Sequence, residues 1–275
     1  MFLPLHDQNN EPVQATPVVS YVLMTITVLV YCYQFLIGLG DAEESLRFSL
    51  RHGLVPAPFL SGKTDYECVI PLDKPSPGRR PGRSSRAEEE PGEVEGPSEL
   101  RFQISNTAAG LWLMPLTYIF LHGGWMHLLG NLWFFWIFSD NVEERMGRPL
   151  FLLFYLAAGV GGGILHMLLR LESNLPLVGA SGAISGLMGA YIILFPGNRI
   201  TTYFCPVWFF IRRLDVPSWM VLGFFILFNI FAMSQATLSG GSQVAFDCHV
   251  GGFMAGLLAG WFFRDAAPAK PRVPA

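Results

Sequence analysis

Ser181 and His249 are the pair in this chain best suited to do chemistry together. Ser181 stands in Gly179-Ala180-Ser181-Gly182 at the head of one apolar run, and His249 opens another near the C-terminal end. A serine hydroxyl is a weak nucleophile until a neighbouring base takes its proton, and imidazole can do so near neutral pH. The flanking residues favour an encounter. Gly182, Gly186 and Gly189 lie near one face of the first run, and Gly252, Gly256 and Gly260 form a GxxxGxxxG ridge on the second. Such small-residue faces let two membrane helices approach backbone to backbone. Alone, GASG reads as a helix contact carrying a hydroxyl, and His249 as an interhelical hydrogen-bond partner. Together they point to hydrolysis, with His249 as general base to Ser181 and then as acid to the leaving amine.

A second polar pair extends the reading. His127 and Asn131 are four residues apart and share one helix face. Both can donate a hydrogen bond. With the Ser181 backbone N–H at a helix N-terminus, they would form an oxyanion hole, in which one donor is typically worth about 3 kcal/mol. Asp247 lies two residues before His249, about 200° around a helix, so a Ser/His dyad is expected rather than a triad. His122 and His127 do not align as zinc ligands, and no HExxH or acidic ligand accompanies them. No metal and no cofactor is expected. Cys248 sits about 100° from His249 and cannot pair with it. Cys32, Cys68, Cys205 and Cys248 form no evident disulfide framework.

These residues need elements to hold them, and composition says what kind. Of the 275 residues 51% are apolar and only 14% charged, a balance that belongs to a polytopic membrane protein. Nothing in it favours nucleic-acid binding. Six stretches could span a bilayer: 18–38, 125–139, 149–169, 180–195, 219–237 and 246–263. No cleavable signal peptide is expected, because the first run is long and no basic residue precedes it. Arg145 and Arg148, then Arg199, Arg212 and Arg213, then Arg264, Lys270 and Arg272 fall in alternate short loops. Positive loops stay inside, so both termini are expected in the cytoplasm. Short cytoplasmic loops and the lack of a transit peptide favour a bacterial inner membrane.

The expected organisation is a short cytoplasmic N-terminus (1–17), span 1 (18–38), a long external loop (39–124), a core of spans 2–6 (125–263) and a cytoplasmic tail (264–275). Within the loop, residues 74–99 are rich in Pro, Gly and charge and cannot bury enough apolar surface to offset ordering entropy. They read as a disordered insert. A short interfacial helix is expected around Glu43–His52. Leu111–Trp125 is apolar but broken by Pro115 and Gly123-Gly124, and reads as a re-entrant or interfacial piece, with Trp112, Tyr118 and Trp125 in an aromatic belt. Span 4 is short, about 24 Å against about 30 Å of hydrocarbon. Ser181 would therefore sit below the membrane surface.

The set of motifs resembles the rhomboid intramembrane serine proteases. It comprises Phe120-Leu121-His122-Gly123-Gly124-Trp125-Met126-His127 with Asn131, Val142-Glu143-Glu144-Arg145-Met146-Gly147, Gly179-Ala180-Ser181-Gly182, and His249 with Gly252 and Gly256. The resemblance implies an all-α, six-helix membrane bundle with a water-filled cavity open to the outside. It makes Ser181 the nucleophile and His249 the base, with an oxyanion hole of His127, Asn131 and the Ser181 N–H. Gly179, Gly182, His122, Gly252 and Gly256 would support the site. Implied substrates are single-span membrane proteins, cut in or near a span that unwinds easily. The Ser239-Gly240-Gly241-Ser242 link would cap the site and the aromatic face of span 5 would gate it. Two positions depart from many relatives. Leu113 follows Trp112 where an arginine would brace the loop and pair with Glu143, and Ser185 stands where an aromatic ring would pack on the histidine. The rival reading is a non-catalytic rhomboid-like protein that binds membrane clients.

Overall fold

The computed structural model describes residues 2–8, 16–71, 99–207, 210–238 and 244–265. Among them the helices are α1 (Val18–Gly40), α2 (Ala42–His52), α3 (Pro56–Ser61), α4 (Ala108–Thr117), α5 (Trp125–Met146), α6 (Arg148–Leu169), α7 (Ser181–Leu194), α8 (Ser218–Leu238) and α9 (Phe246–Phe263). The strands are β1 (Phe2–Gln8), β2 (Asp65–Pro71), β3 (Glu99–Ser105), β4 (Arg199–Val207) and β5 (Phe210–Pro217). Four helices, α1, α6, α8 and α9, are long and apolar enough to cross a membrane. At 22 residues α5 has the length, but His127, Asn131, Asp140, Glu143, Glu144 and Arg145 make it more polar. α7 has 14 residues, or about 21 Å.

Short as it is, α7 is the centre of the bundle. Every residue from Gly182 to Tyr191 is buried, and α9, α6 and α5 surround it. A helix that is apolar on all sides belongs in such an interior. The glycines set its distance from α9. A Cβ added at Gly252 would fall on the carbonyl of Gly182, and one at Gly256 on the carbonyl of Gly186. The two backbones are therefore in direct contact. The outward faces are apolar, including Leu29 and Leu36 on α1, Phe224, Leu227, Phe228 and Phe231 on α8, and Leu258 and Phe262 on α9. Exposed apolar surface on this scale suits a lipid environment.

Buried Glu143 joins α1 to α5. Its carboxylate accepts from the backbone N–H of Val19 at 2.9 Å and of Ser20 at 2.7 Å, and from Ser20 Oγ at 2.7 Å. A carboxylate on the free N–H groups of a helix N-terminus is well placed against the helix dipole. In place of the arginine expected at position 113, Glu143 has the start of α1, with Arg148 Nε 4.0 Å away.

Three expectations need correction. The chain is mostly helical, but it is not all-α. β2 and β3 pair antiparallel, with Tyr66, Cys68, Phe102 and Ile104 buried and Glu67 and Arg101 outward, and Pro71 lies opposite Glu99. The ends of the polar insert therefore hang from a hairpin, while its residues 74–98 lie outside the described residues. β1, β4 and β5 form a second antiparallel sheet. Period-two patterning over so few residues was masked by apolar content. Second, α4 continues through Pro115 into a 3-10 turn at Tyr118–Phe120, so Leu111–Phe120 is one packed helical piece. Third, Tyr118 is fully buried, its hydroxyl donating to the Gly159 carbonyl at 2.6 Å. Trp112 and Trp125 are exposed. Tyr118 leaves the belt because a backbone acceptor satisfies its hydroxyl inside the bundle. The helix expected around Glu43–His52 is present as α2, with Asp41 as its N-cap.

Candidate functional site

A cavity of about 720 Å3 opens among α5, α6, α7, α8 and α9. Ser181, His249, His127 and Asn131 all line it, together with Ser185, His166, Arg170 and Phe225. Residues distant in sequence converge because α7 and α9 dock through their glycines at the end where Ser181 and His249 stand. Ser181 begins α7, and no side chain caps that helix. The first N–H groups of a helix have no intrahelical partner, so Ser181 brings the positive end of the α7 dipole to the cavity.

Gly179 shapes the approach. Its φ of +123° is a conformation that side chains rarely adopt, and its N–H donates to the carbonyl of Tyr118 at 2.9 Å. An added Cβ would lie 2.7 Å from His127 Cε1 and 2.8 Å from Nε2. Only glycine lets this strand pass against the imidazole.

The hydrogen-bond partners assign the two histidine tautomers. The backbone N–H of Gly123 donates to His127 Nδ1 at 3.3 Å, so the neutral ring carries its hydrogen on Nε2, the atom that faces Gly179. His127, which lines the cavity, is thus a donor through Nε2. Asn131 turns one amide hydrogen back to the His127 carbonyl at 2.9 Å and keeps a second. His249 Nδ1 is 2.7 Å from Asn229 Oδ1 on α8, and an amide oxygen can only accept. His249 thus carries its hydrogen on Nδ1 and presents a lone pair on Nε2. One imidazole is set to donate and the other to accept.

The supporting positions behave in different ways. Gly182, Gly252 and Gly256 form the α7–α9 seam. His122 is buried beside His127, with ring centroids 5.1 Å apart, and its backbone N–H donates to Gln34 Oε1. It packs behind the cavity wall, which begins at Gly123. Burial and then the neighbouring His127 push the His122 imidazole down to about 4. Ser185 Oγ is buried without a partner among the described residues. No ring from this position meets His249, which lies instead between Phe225 and Phe246, each with its centroid 6.3 Å away. Asp247 turns from His249 to His166 Nδ1 and Arg170 Nε, both at 2.8 Å. Among the described residues no cluster of three or more His, Cys, Asp or Glu could hold a metal. The Ser239–Ser242 link lies outside the described residues.

Sequence reasoning missed two groups. Asn229 is a polar side chain in the apolar run of α8, and intramembrane polarity was the signal that could have found it. His166 and Arg170 gave no such signal, since they sit at the end of a span where basic residues are ordinary.

A family profile described as Rhomboid domain matches residues 109–266. The chain is 34% identical to rhomboid protease GluP of Bacillus subtilis over 61% of this chain and 28% of that protein. It is 31% identical to chloroplastic rhomboid-like protein 11 of Arabidopsis thaliana, over 58% of this chain and 55% of the relative. With mitochondrial rhomboid protein 1 of Saccharomyces cerevisiae it shares 27% identity, over 54% of this chain and 40% of the relative. The chain thus spans between about a quarter and about a half of these relatives. The profile covers more than half of the chain, and the protein belongs to the rhomboid family.

Proposed function

We propose that this chain is an intramembrane serine endopeptidase that cuts single-span membrane proteins in or near their spans. Ser181 Oγ attacks the scissile carbonyl while His249 Nε2 takes its proton. The Ser181 N–H, His127 Nε2–H and Asn131 Nδ2–H hold the oxyanion. His249 then returns the proton to the leaving amine, and water repeats the sequence to release the acyl group. The observation that carries this reading is the meeting of a capless helix N-terminus, a donor-form His127 and an acceptor-form His249 on one cavity.

The proposed frame is a six-helix bundle in which α5 and α7 join the four long apolar helices. A thin α7 keeps Ser181 below the membrane surface, and α8, with only 17% of its apolar window buried, is the helix most free to admit a substrate laterally. The arginine-bearing loops would face the cytoplasm, with both termini. Membrane residence follows from the family and the apolar helices. Relatives named for the chloroplast and mitochondrion stand beside the bacterial one, so the comparisons do not single out a bacterial inner membrane.

The test is reconstitution of the full chain in liposomes with a panel of single-span substrates, alongside fluorophosphonate labelling. Cleavage and labelling are expected for the wild type and should vanish in Ser181→Ala and His249→Ala. Client binding without cleavage, unchanged by both substitutions, would assign the chain to the non-catalytic members.

A further inference from the structure

The geometry points to Asn229 as the positioning residue that fixes the tautomer and orientation of His249 beside Ser181. This deepens the reading of Ser181 and His249 as nucleophile and base and rests on it. Asn229 is 3% exposed, so its polar groups must find partners inside the bundle. Its Nδ2 donates to the carbonyl of Phe225, one turn earlier on α8, at 2.8 Å. A carbonyl cannot donate, so the amide is locked with Oδ1 toward His249 Nδ1 at 2.7 Å. With Nδ1–H committed to that acceptor, the free lone pair of His249 is on Nε2.

The same stretch of α8 supplies one of the two rings beside His249, and the start of α9 supplies the other. Phe225 lies beside the imidazole, tilted by 33°, and Phe246 meets it edge-on at 85°. From α7, position 185 offers only a hydroxyl, buried and without a partner among the described residues. The acid nearest in sequence is unavailable too, because Asp247 is held by His166 and Arg170. The imidazole is therefore steered from α8. Asn229 touches neither the scissile bond nor the oxyanion and acts through His249, as the third member of a triad does.

The experiment compares wild type, Asn229→Ala and Asn229→Asp in liposomes, with 15N NMR of histidine-labelled protein assigned against His249→Ala. Wild-type His249 is expected to show the Nδ1–H tautomer. Asn229→Ala should lower kcat and the rate of fluorophosphonate labelling about tenfold with KM unchanged, since one orienting hydrogen bond is lost. Asn229→Asp keeps an acceptor and should recover most of that loss. An Nε2–H tautomer in the wild type overturns the proposal whether or not the variants fold. So does an Asn229→Ala enzyme as fast as wild type, provided the wild type depends on Ser181 and His249. If the wild type itself neither cleaves nor labels, the protease reading fails first.

Discussion

On the proposed mechanism, Gly179→Ala should disarm the oxyanion hole without touching a reacting group. The new Cβ would lie 2.7 Å from His127 Cε1, whereas ordinary contact begins at 3.4 Å, so the imidazole must retreat by about 0.7 Å. A hydrogen bond of about 2.9 Å from Nε2 to the oxyanion would lengthen to about 3.6 Å, outside the useful range. Loss of one such donor lowers kcat about 100-fold. The positive φ adds strain of about 1–3 kcal/mol, which should appear as a lower unfolding midpoint. The assay is cleavage of a single-span substrate in liposomes at saturating and limiting substrate, with labelling to count active sites. kcat should fall about 100-fold and KM should change little. Because the damage passes through His127, Gly179→Ala combined with His127→Ala should be no slower than His127→Ala alone. Wild-type rates in a folded Gly179→Ala, or full multiplication of the two single effects, would refute the reasoning.

Other perturbations follow from the packing. Glu143→Ala removes a buried acceptor of three hydrogen bonds at the start of α1 and should cost about 3 kcal/mol in reversible detergent unfolding. Gly256→Ala drives a methyl into the Gly186 carbonyl and should cost at least about 2 kcal/mol while separating Ser181 from His249, so both stability and labelling fall. His122 is held at about 4 against its ordinary 6.5. A depressed folded value stabilises above pH 6.5 and is lost as pH falls through about 4, so the unfolding midpoint should drop across that window. The loss should be on the order of 3 kcal/mol, and His122→Gln should flatten it.

The sequence foretold most where one physical signal dominated. Long apolar runs marked α1, α6, α8 and α9, and glycines at helical spacing marked the α7–α9 seam. His127 and Asn131 were legible because a four-residue interval determines a shared face. Long-range partnership was not legible. Glu143 reaches α1, Asn229 reaches across to His249, and Asp7 near the N-terminus accepts from Tyr191 Oη at the far end of α7. No local pattern announces such contacts, since each depends on which helices become neighbours. The small sheets escaped for a related reason: β1 finds its partner in β4, almost the whole chain away.

The contact between α7 and α9 has one more consequence. Side chains yield, rotate and pack differently as temperature or lipid thickness changes, but two backbones touching at glycine have no slack to give up. The spacing between Ser181 and His249 is thus graduated by the main chain itself, like marks cut into a ruler. Bilayer stress can bend the outer helices and move α8, which holds His249 through Asn229. It cannot stretch the ruler, so a change of membrane should alter how often the site is armed and leave its reach the same.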